Sequence, residues 1–192
     1  KELWLYRALN GRTIVFSKDI AEKSTTLTYG YDVALGIASI IGKETALGEA
    51  FHITSDESYT WKEILEIYLD TIEKKTGMRP KVLLLDKSPH LEWIGAKWQV
   101  ILDRYYNRRF DNSKIQQYID TSQFVRTESG LISCLESFLC HPQFKKMGWG
   151  IQGTYDRITG EWAPFSEISI IKDCISYLLH RTVVPPKSKL SI

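Results

Sequence analysis

No apolar stretch in this 192-residue sequence approaches the roughly 18 residues that a bilayer-crossing helix requires, so no membrane is expected as a partner. Its first residues lack the basic-then-apolar order of a secretory signal. Cysteine is scarce: Cys134, Cys140 and Cys174 form an odd set without a C-x-x-C pair. That excludes a disulfide framework and a paired-cysteine metal site, and reduced thiols in the cytoplasm are the expectation. The four histidines, at 52, 90, 141 and 180, form neither H-x-x-x-H nor H-E-x-x-H. A dominant charge is also missing, since 25 Lys and Arg against 23 Asp and Glu leave a net +2. So small an excess predicts no nucleic-acid groove. Arg104, Arg108, Arg109 and Lys114 do cluster beside Tyr105 and Tyr106, but they read more simply as a solvated helix end next to an aromatic packing patch. Finally, G-x-x-G-x-x-G does not occur, and the G-x-G-x-x-G spacing is met only by Gly148-Trp-Gly-Ile-Gln-Gly153. That run lies late in the chain, within a Gly- and aromatic-rich stretch and not after a β-rich run, so no glycine-rich cradle for phosphates is expected.

What is present is the pattern of an ordinary globular protein. Hydrophobic residues make up 43% and charged residues 25%, in a chain long enough for one proper core. Leu3 to Asn10 reads as a helix stopped by Gly11. Thr13–Phe16, Phe51–Ile53 and Lys81–Leu85 are short β-rich or apolar runs and are expected to be parallel strands covered by helices. Ser17 to Ser24 is polar, hence a loop, and Thr25 to Tyr29 is a candidate short strand. Asp32 is placed to cap a helix through Ile41. Thr60 and Glu63 have the spacing of a capping box, and Trp61, Ile64, Leu65, Tyr68 and Leu69 then mark one apolar helix face with Trp61 as its anchor. Pro89 fits the first turn of a helix running to about Arg104. Asp111 and Lys114 have the spacing of a pair on one helical turn. A helix from Thr127 carries Leu131, Cys134, Leu135 and Phe138 inward. Residues 141–164 are rich in Gly and aromatics. There Asp156 to Gly160 is expected to be a hairpin turn, with Trp149 to Trp162 a candidate contact surface. A last helix, Phe165 to Leu179, precedes Pro185-Pro186 and the basic tail Lys187 to Lys189.

Three segments gain meaning when read in order. They are Leu27-Thr-Tyr-Gly-Tyr-Asp-Val-Ala34, Gly48-Glu-Ala-Phe-His-Ile-Thr-Ser-Asp-Glu-Ser-Tyr-Thr-Trp-Lys-Glu-Ile64 and Phe110-Asp-Asn-Ser-Lys-Ile115. In this order and spacing, roughly Leu3 to Leu139 resembles the C-terminal half of the extended short-chain dehydrogenases, the NAD-dependent epimerase/dehydratase family. The resemblance implies an α/β fold, the C-terminal portion of a Rossmann-type enzyme. Residues 1–140 are then the substrate-binding part, and 141–192 an extension packed on it.

In that family the N-terminal half holds the dinucleotide and a Tyr-x-x-x-Lys pair that moves the proton. No tyrosine here is followed four residues later by lysine, and the sequence begins at Lys1 without a methionine. The expectation is therefore a portion of a longer protein. NAD or NADP would be its cofactor in full length, with none bound by this segment alone, no catalytic residue and no metal ligand. Its partners would be a small sugar or nucleotide-sugar-like substrate and the missing cofactor-binding half, with self-association into a homo-oligomer also open.

Family members acting on nucleotide sugars carry an Arg seven residues before the position of Asp32, where it grips the substrate diphosphate. Thr25 stands there in this chain. The resemblance thus assigns substrate binding to the loop with Thr25, and Lys18 and Lys23 are the candidates to replace the missing cation. A non-catalytic binding or oligomerisation module built on the same fold is the alternative.

Overall fold

The structure, a computed structural model, describes residues 3–89, 97–144 and 147–183. In chain order its elements are α1 (Leu3–Leu9), β1 (Ile14–Ser17), α2 (Lys18–Ala21), β2 (Ser24–Thr25), α3 (Gly30–Ile40), β3 (Tyr59–Thr60), α4 (Trp61–Thr76) and β4 (Val82–Leu85). There follow α5 (Lys97–Gln99, continued to Arg104 by a wider π turn), α6 (Thr127–Cys140), α7 (Trp149–Thr159) and α8 (Ile171–Leu178). The described chain is mostly helical, with a few short strands. It divides into two units, one formed by residues 1–20, 78–103 and 142–192, the other by 21–77 and 104–141.

In the first unit β1 and β4 pair in parallel, from Ile14 opposite Val82 to Ser17 opposite Leu85. Two of the three expected strands are therefore present and parallel. Ser17 to Ser24, expected as a loop, includes the single turn α2. The expected helix from Pro89 is seen from Lys97, and residues 90–96 lie outside those described, as does the basic tail. The expected hairpin at Asp156–Gly160 is instead the end of helix α7. Gly160, with φ of 76°, is the left-handed residue that stops this helix, a geometry that also serves turns. Gly153 has a second role there. A Cβ on it would lie 2.4 Å from the carbonyl oxygen of Tyr177, so glycine lets α7 and α8 approach closely. Trp149 and Tyr155 are then core residues and not a contact surface, and only Trp162 of the three large aromatics is exposed.

Helix α1 is tied to α7 by ions as well as apolar packing. Arg7 is 1% exposed, and its Nε, Nη1 and Nη2 donate to Thr13 O, Gln152 Oε1, Asp156 Oδ1, Thr159 Oγ1 and Glu161 Oε2. Arg12 reaches the other oxygen of Asp156 at 3.4 Å and Glu167 at 3.3 Å. Tyr177 donates its hydroxyl to Asp156 at 2.7 Å and accepts the Ala163 N–H. Burial, followed by the Glu167 carboxylate that its hydroxyl donates to, pushes Tyr6 up to about 12. Such a network is stable only when every member is paired, because a stranded buried charge costs several kcal/mol.

The second unit is built on α4 packed against α6. The capping box is formed as expected, with Thr60 Oγ1 accepting from the Glu63 N–H and the Glu63 carboxylate accepting from the Thr60 N–H. Gly77, at φ 76°, closes the other end. Ile64, Leu69 and Ile72 are the buried residues of this face; Trp61 is only half-buried, with the Arg104 guanidinium 4.4 Å above its ring. Cys134, expected inside, is exposed on α6.

Phe51–Ile53 is not a strand. The backbone just beyond it is satisfied by a side chain: Asn112 Oδ1 accepts the Thr54 N–H at 3.3 Å and Asn112 Nδ2 donates to Thr54 O at 2.6 Å. The Phe51 ring packs edge-on to Tyr118 at 5.5 Å. Asp32 is not an N-cap, because α3 begins two residues earlier; it is buried and accepts the Val125 N–H at 2.9 Å, holding the approach to α6. Asp111 and Lys114 do not pair with each other. Asp111 caps Ser113, whose N–H and hydroxyl hold the carboxyl below the usual carboxylate range, and Lys114 pairs with Glu49.

Candidate functional site

The three ordered segments meet in the second unit. Thr28 Oγ1, from the first, accepts the Ser55 N–H of the second at 2.9 Å. Asn112, from the third, holds Thr54 and donates to Asp56 Oδ1 at 2.8 Å. The short antiparallel pair of β2 and β3, with Ser24 opposite Thr60 and Thr25 opposite Tyr59, lies beside them in the chain. The free side of β2 is occupied by residues 107 and 108: Asn107 Oδ1 accepts the Ser24 N–H and the Arg108 N–H donates to Ser24 O, both at 2.9 Å.

The neighbouring arginines Arg108 and Arg109 have different surroundings. Arg108 turns to Thr25, and its Nη2 donates to Thr25 Oγ1 at 2.5 Å. Arg109 lines an open cleft of about 340 Å³ together with Thr26, Ser55, Asp56, Ser58 and Phe110. This volume is at the small end for small-molecule sites. The Asp56 carboxylate is held on both oxygens, by Asn112 Nδ2 and by Thr121 Oγ1 at 2.8 Å each. Phe110 is 39% exposed and meets the His52 ring at 5.0 Å between centroids. Arg109 is exposed, and no carboxylate among the described residues forms an ion pair with it.

Of the three residues assigned to substrate binding, Lys23 and Thr25 share the unit of this cleft, whereas Lys18 belongs to the first unit. Lys18 pairs with Asp86 at 2.7 Å on an exposed surface. Lys23 O accepts the Trp61 N–H at 3.0 Å. Thr25 is 1% exposed with its hydroxyl engaged by Arg108. Thr26 and Ser58 were given no role by the sequence, and Arg109 was read there as part of a solvated helix end. The signal that could have found Arg109 is its place in an arginine doublet immediately before Phe110-Asp-Asn-Ser-Lys. Among the described residues no group of three His, Cys, Asp or Glu is placed to hold a metal ion. No helix among them is long and apolar enough to cross a membrane.

No protein-family model matches the sequence, and no curated protein does. Among solved structures, this chain is similar to a UDP-glucuronic acid 4-epimerase from Bacillus cereus, determined in complex with UDP-glucuronic acid and NAD. The identity is 19% and the TM-score 0.47, over 69% of this chain and 39% of that one. The similarity is distant and lies at the level of the fold, and the chain spans about two fifths of that protein's length.

Proposed function

We propose that these residues are the substrate-binding part of an NAD(P)-dependent epimerase, dehydratase or reductase acting on a sugar-like substrate. On this reading the dinucleotide and the proton-transfer residues belong to a cofactor-binding half outside this sequence. The observation that carries it is that Thr28, Ser55, Thr54 and Asn112 knit the three motif segments together, and that the second and third of them line one open cleft with Thr26, which directly precedes the first. The lining of that cleft, three hydroxyls, a carboxylate, a guanidinium and an aromatic ring, is chemistry suited to a hydroxylated ring. Thr25 serves the site by fixing Arg108 at its back. Residues 141–192 are an extension, anchored on α1 through Arg7 and Gln152.

A second reading, a non-catalytic oligomerisation module, is favoured by one feature. Helix α8 exposes Ile171 and Ile175, one turn apart, at 80% and 54%. Purification of the natural gene product decides between them. The first reading expects a protein heavier than the 22.2 kDa of this sequence that turns over NAD or NADP with a sugar-like substrate. A natural product of this mass that self-associates and leaves both dinucleotides unchanged would overturn it.

A further inference from the structure

The cleft has a charge and a hydrogen-bond polarity of its own, and these select among substrates. We infer that it binds a polyhydroxylated monocarboxylic acid, a sugar acid, through Arg109, and that it discriminates against diphosphates. The inference rests on the reading of this cleft as a substrate site.

It follows from where the protons are. Thr26 Oγ1 donates its one proton to Arg108 O at 3.1 Å. The 3.1 Å contact between Thr26 Oγ1 and Ser58 Oγ must then use the proton of Ser58. Both hydroxyls therefore turn only lone pairs toward a ligand. Asp56 has no proton to give when ionised, and each of its oxygens keeps acceptor capacity beyond the bonds from Asn112 and Thr121. Ser55 Oγ accepts from the Glu57 N–H, and the single Thr127 hydroxyl proton is shared between Ser55 Oγ at 3.3 Å and Leu27 O at 3.1 Å, which leaves the proton of Ser55 itself as the one hydroxyl donor of the wall. The wall is thus rich in acceptors and calls for a ligand rich in O–H groups.

Arg109 is the opposite kind of group: five N–H donors and a fixed positive charge. Arg109 brings one positive charge and Asp56 one negative, so the cleft is neutral: a single carboxylate can pair with the guanidinium, whereas every further negative charge meets only the Asp56 carboxylate. A carboxylate fits the guanidinium fork in two parallel hydrogen bonds. A diphosphate brings only acceptors and at least two negative charges to a wall of acceptors that includes a carboxylate. The exposed face of Phe110 offers an apolar surface for the C–H side of a sugar ring.

The test measures binding alone, by titration calorimetry or amide chemical shifts, on the 192-residue chain and on the full-length natural product. The probes are D-galacturonate, D-gluconate, D-glucose, glucose 1-phosphate and inorganic pyrophosphate. The sugar acids should bind about tenfold or more tightly than D-glucose, the effect of one hydrogen bond to a charged group, and more tightly than pyrophosphate. Arg109→Ala should abolish that advantage, Arg109→Lys should keep part of it, and Ser58→Ala should weaken the acids and glucose alike. Equal binding of acid and neutral sugar, an Arg109→Ala variant that binds as the parent does, or tighter binding of glucose 1-phosphate or pyrophosphate would overturn the inference. So would the absence of binding by every probe. None of these readouts involves NAD(P), so dinucleotide turnover by the natural product can fail while Arg109-dependent acid binding holds, and the reverse.

Discussion

The two units use the same side chains to opposite ends. In the first, Arg7 and Arg12 are 1% and 6% exposed and are enclosed by Asp156, Glu161, Glu167 and two tyrosines. In the second, Arg109 stands at an open cleft beside an Asp56 already held by Asn112 and Thr121. A buried arginine enclosed by carboxylates is structure. An arginine left over beside a satisfied carboxylate has its charge and donors available to a ligand. Burial and the count of partners distinguish the two cases, and residue type does not.

The strongest way to break this contrast is to open the closed network. Asp156→Ala leaves two buried guanidinium groups facing a void and should cost about 3–5 kcal/mol, read from urea denaturation. A loss under about 1 kcal/mol would mean that water replaces the carboxylate and that the network is not closed. Gly153→Ala comes next. The added methyl meets backbone, the Tyr177 carbonyl, and not a side chain that can turn away, so about 1–3 kcal/mol should be lost as α7 and α8 separate. A neutral outcome would show that the two helices are not tightly apposed.

A smaller effect separates the units by pH. Burial opposes ionisation of Glu161, but the hydroxyl and N–H of Thr13, the Thr159 hydroxyl and the Arg7 charge outweigh it and hold the carboxyl below its ordinary 4.5. The unfolded chain therefore binds this proton more readily than the folded one. The stability so conferred is present above 4.5 and disappears as the pH falls through the lower folded value. The stability difference between the parent and Glu161→Gln should accordingly be larger at pH 6 than at pH 3. A difference that does not change with pH would remove Glu161 from the network. The smallest effect belongs to the open site. Arg109→Ala should change stability by no more than about 0.5 kcal/mol, as for a surface residue without partners. A loss comparable to that of Asp156→Ala would make Arg109 structural and erase the contrast between the units.

Local signals were legible in the sequence wherever the physics is local. The Thr60–Glu63 box, the stop at Gly77, the parallel runs at Ile14 and Val82 and the helix from Thr127 depend on neighbours within a turn or on a short apolar run, and all are present. Long-range partners were not legible. Phe51–Ile53 has the composition of a strand, yet Asn112, 58 positions beyond Thr54, takes the hydrogen bonds that a neighbouring strand would have supplied. Asp32 has the spacing of a cap, yet its carboxylate serves Val125, 93 positions away. Gly150 and Gly153 stood only in a Gly- and aromatic-rich stretch, because a sequence cannot show that another helix lies close enough to exclude a side chain.

By itself, then, the sequence determined the short parallel runs at Ile14 and Val82, the capped helix from Thr60 and the motif segments that carry the family resemblance, since these follow from composition, periodicity and capping. Only the tertiary structure decided which arginine is spent and which is available. Arg7, Arg12, Arg108 and Arg109 are chemically alike in one dimension. What separates them is whether the chain returns, more than a hundred residues later for Arg7 and Arg12, or some eighty residues earlier for Arg108, with a group that takes up their hydrogen bonds.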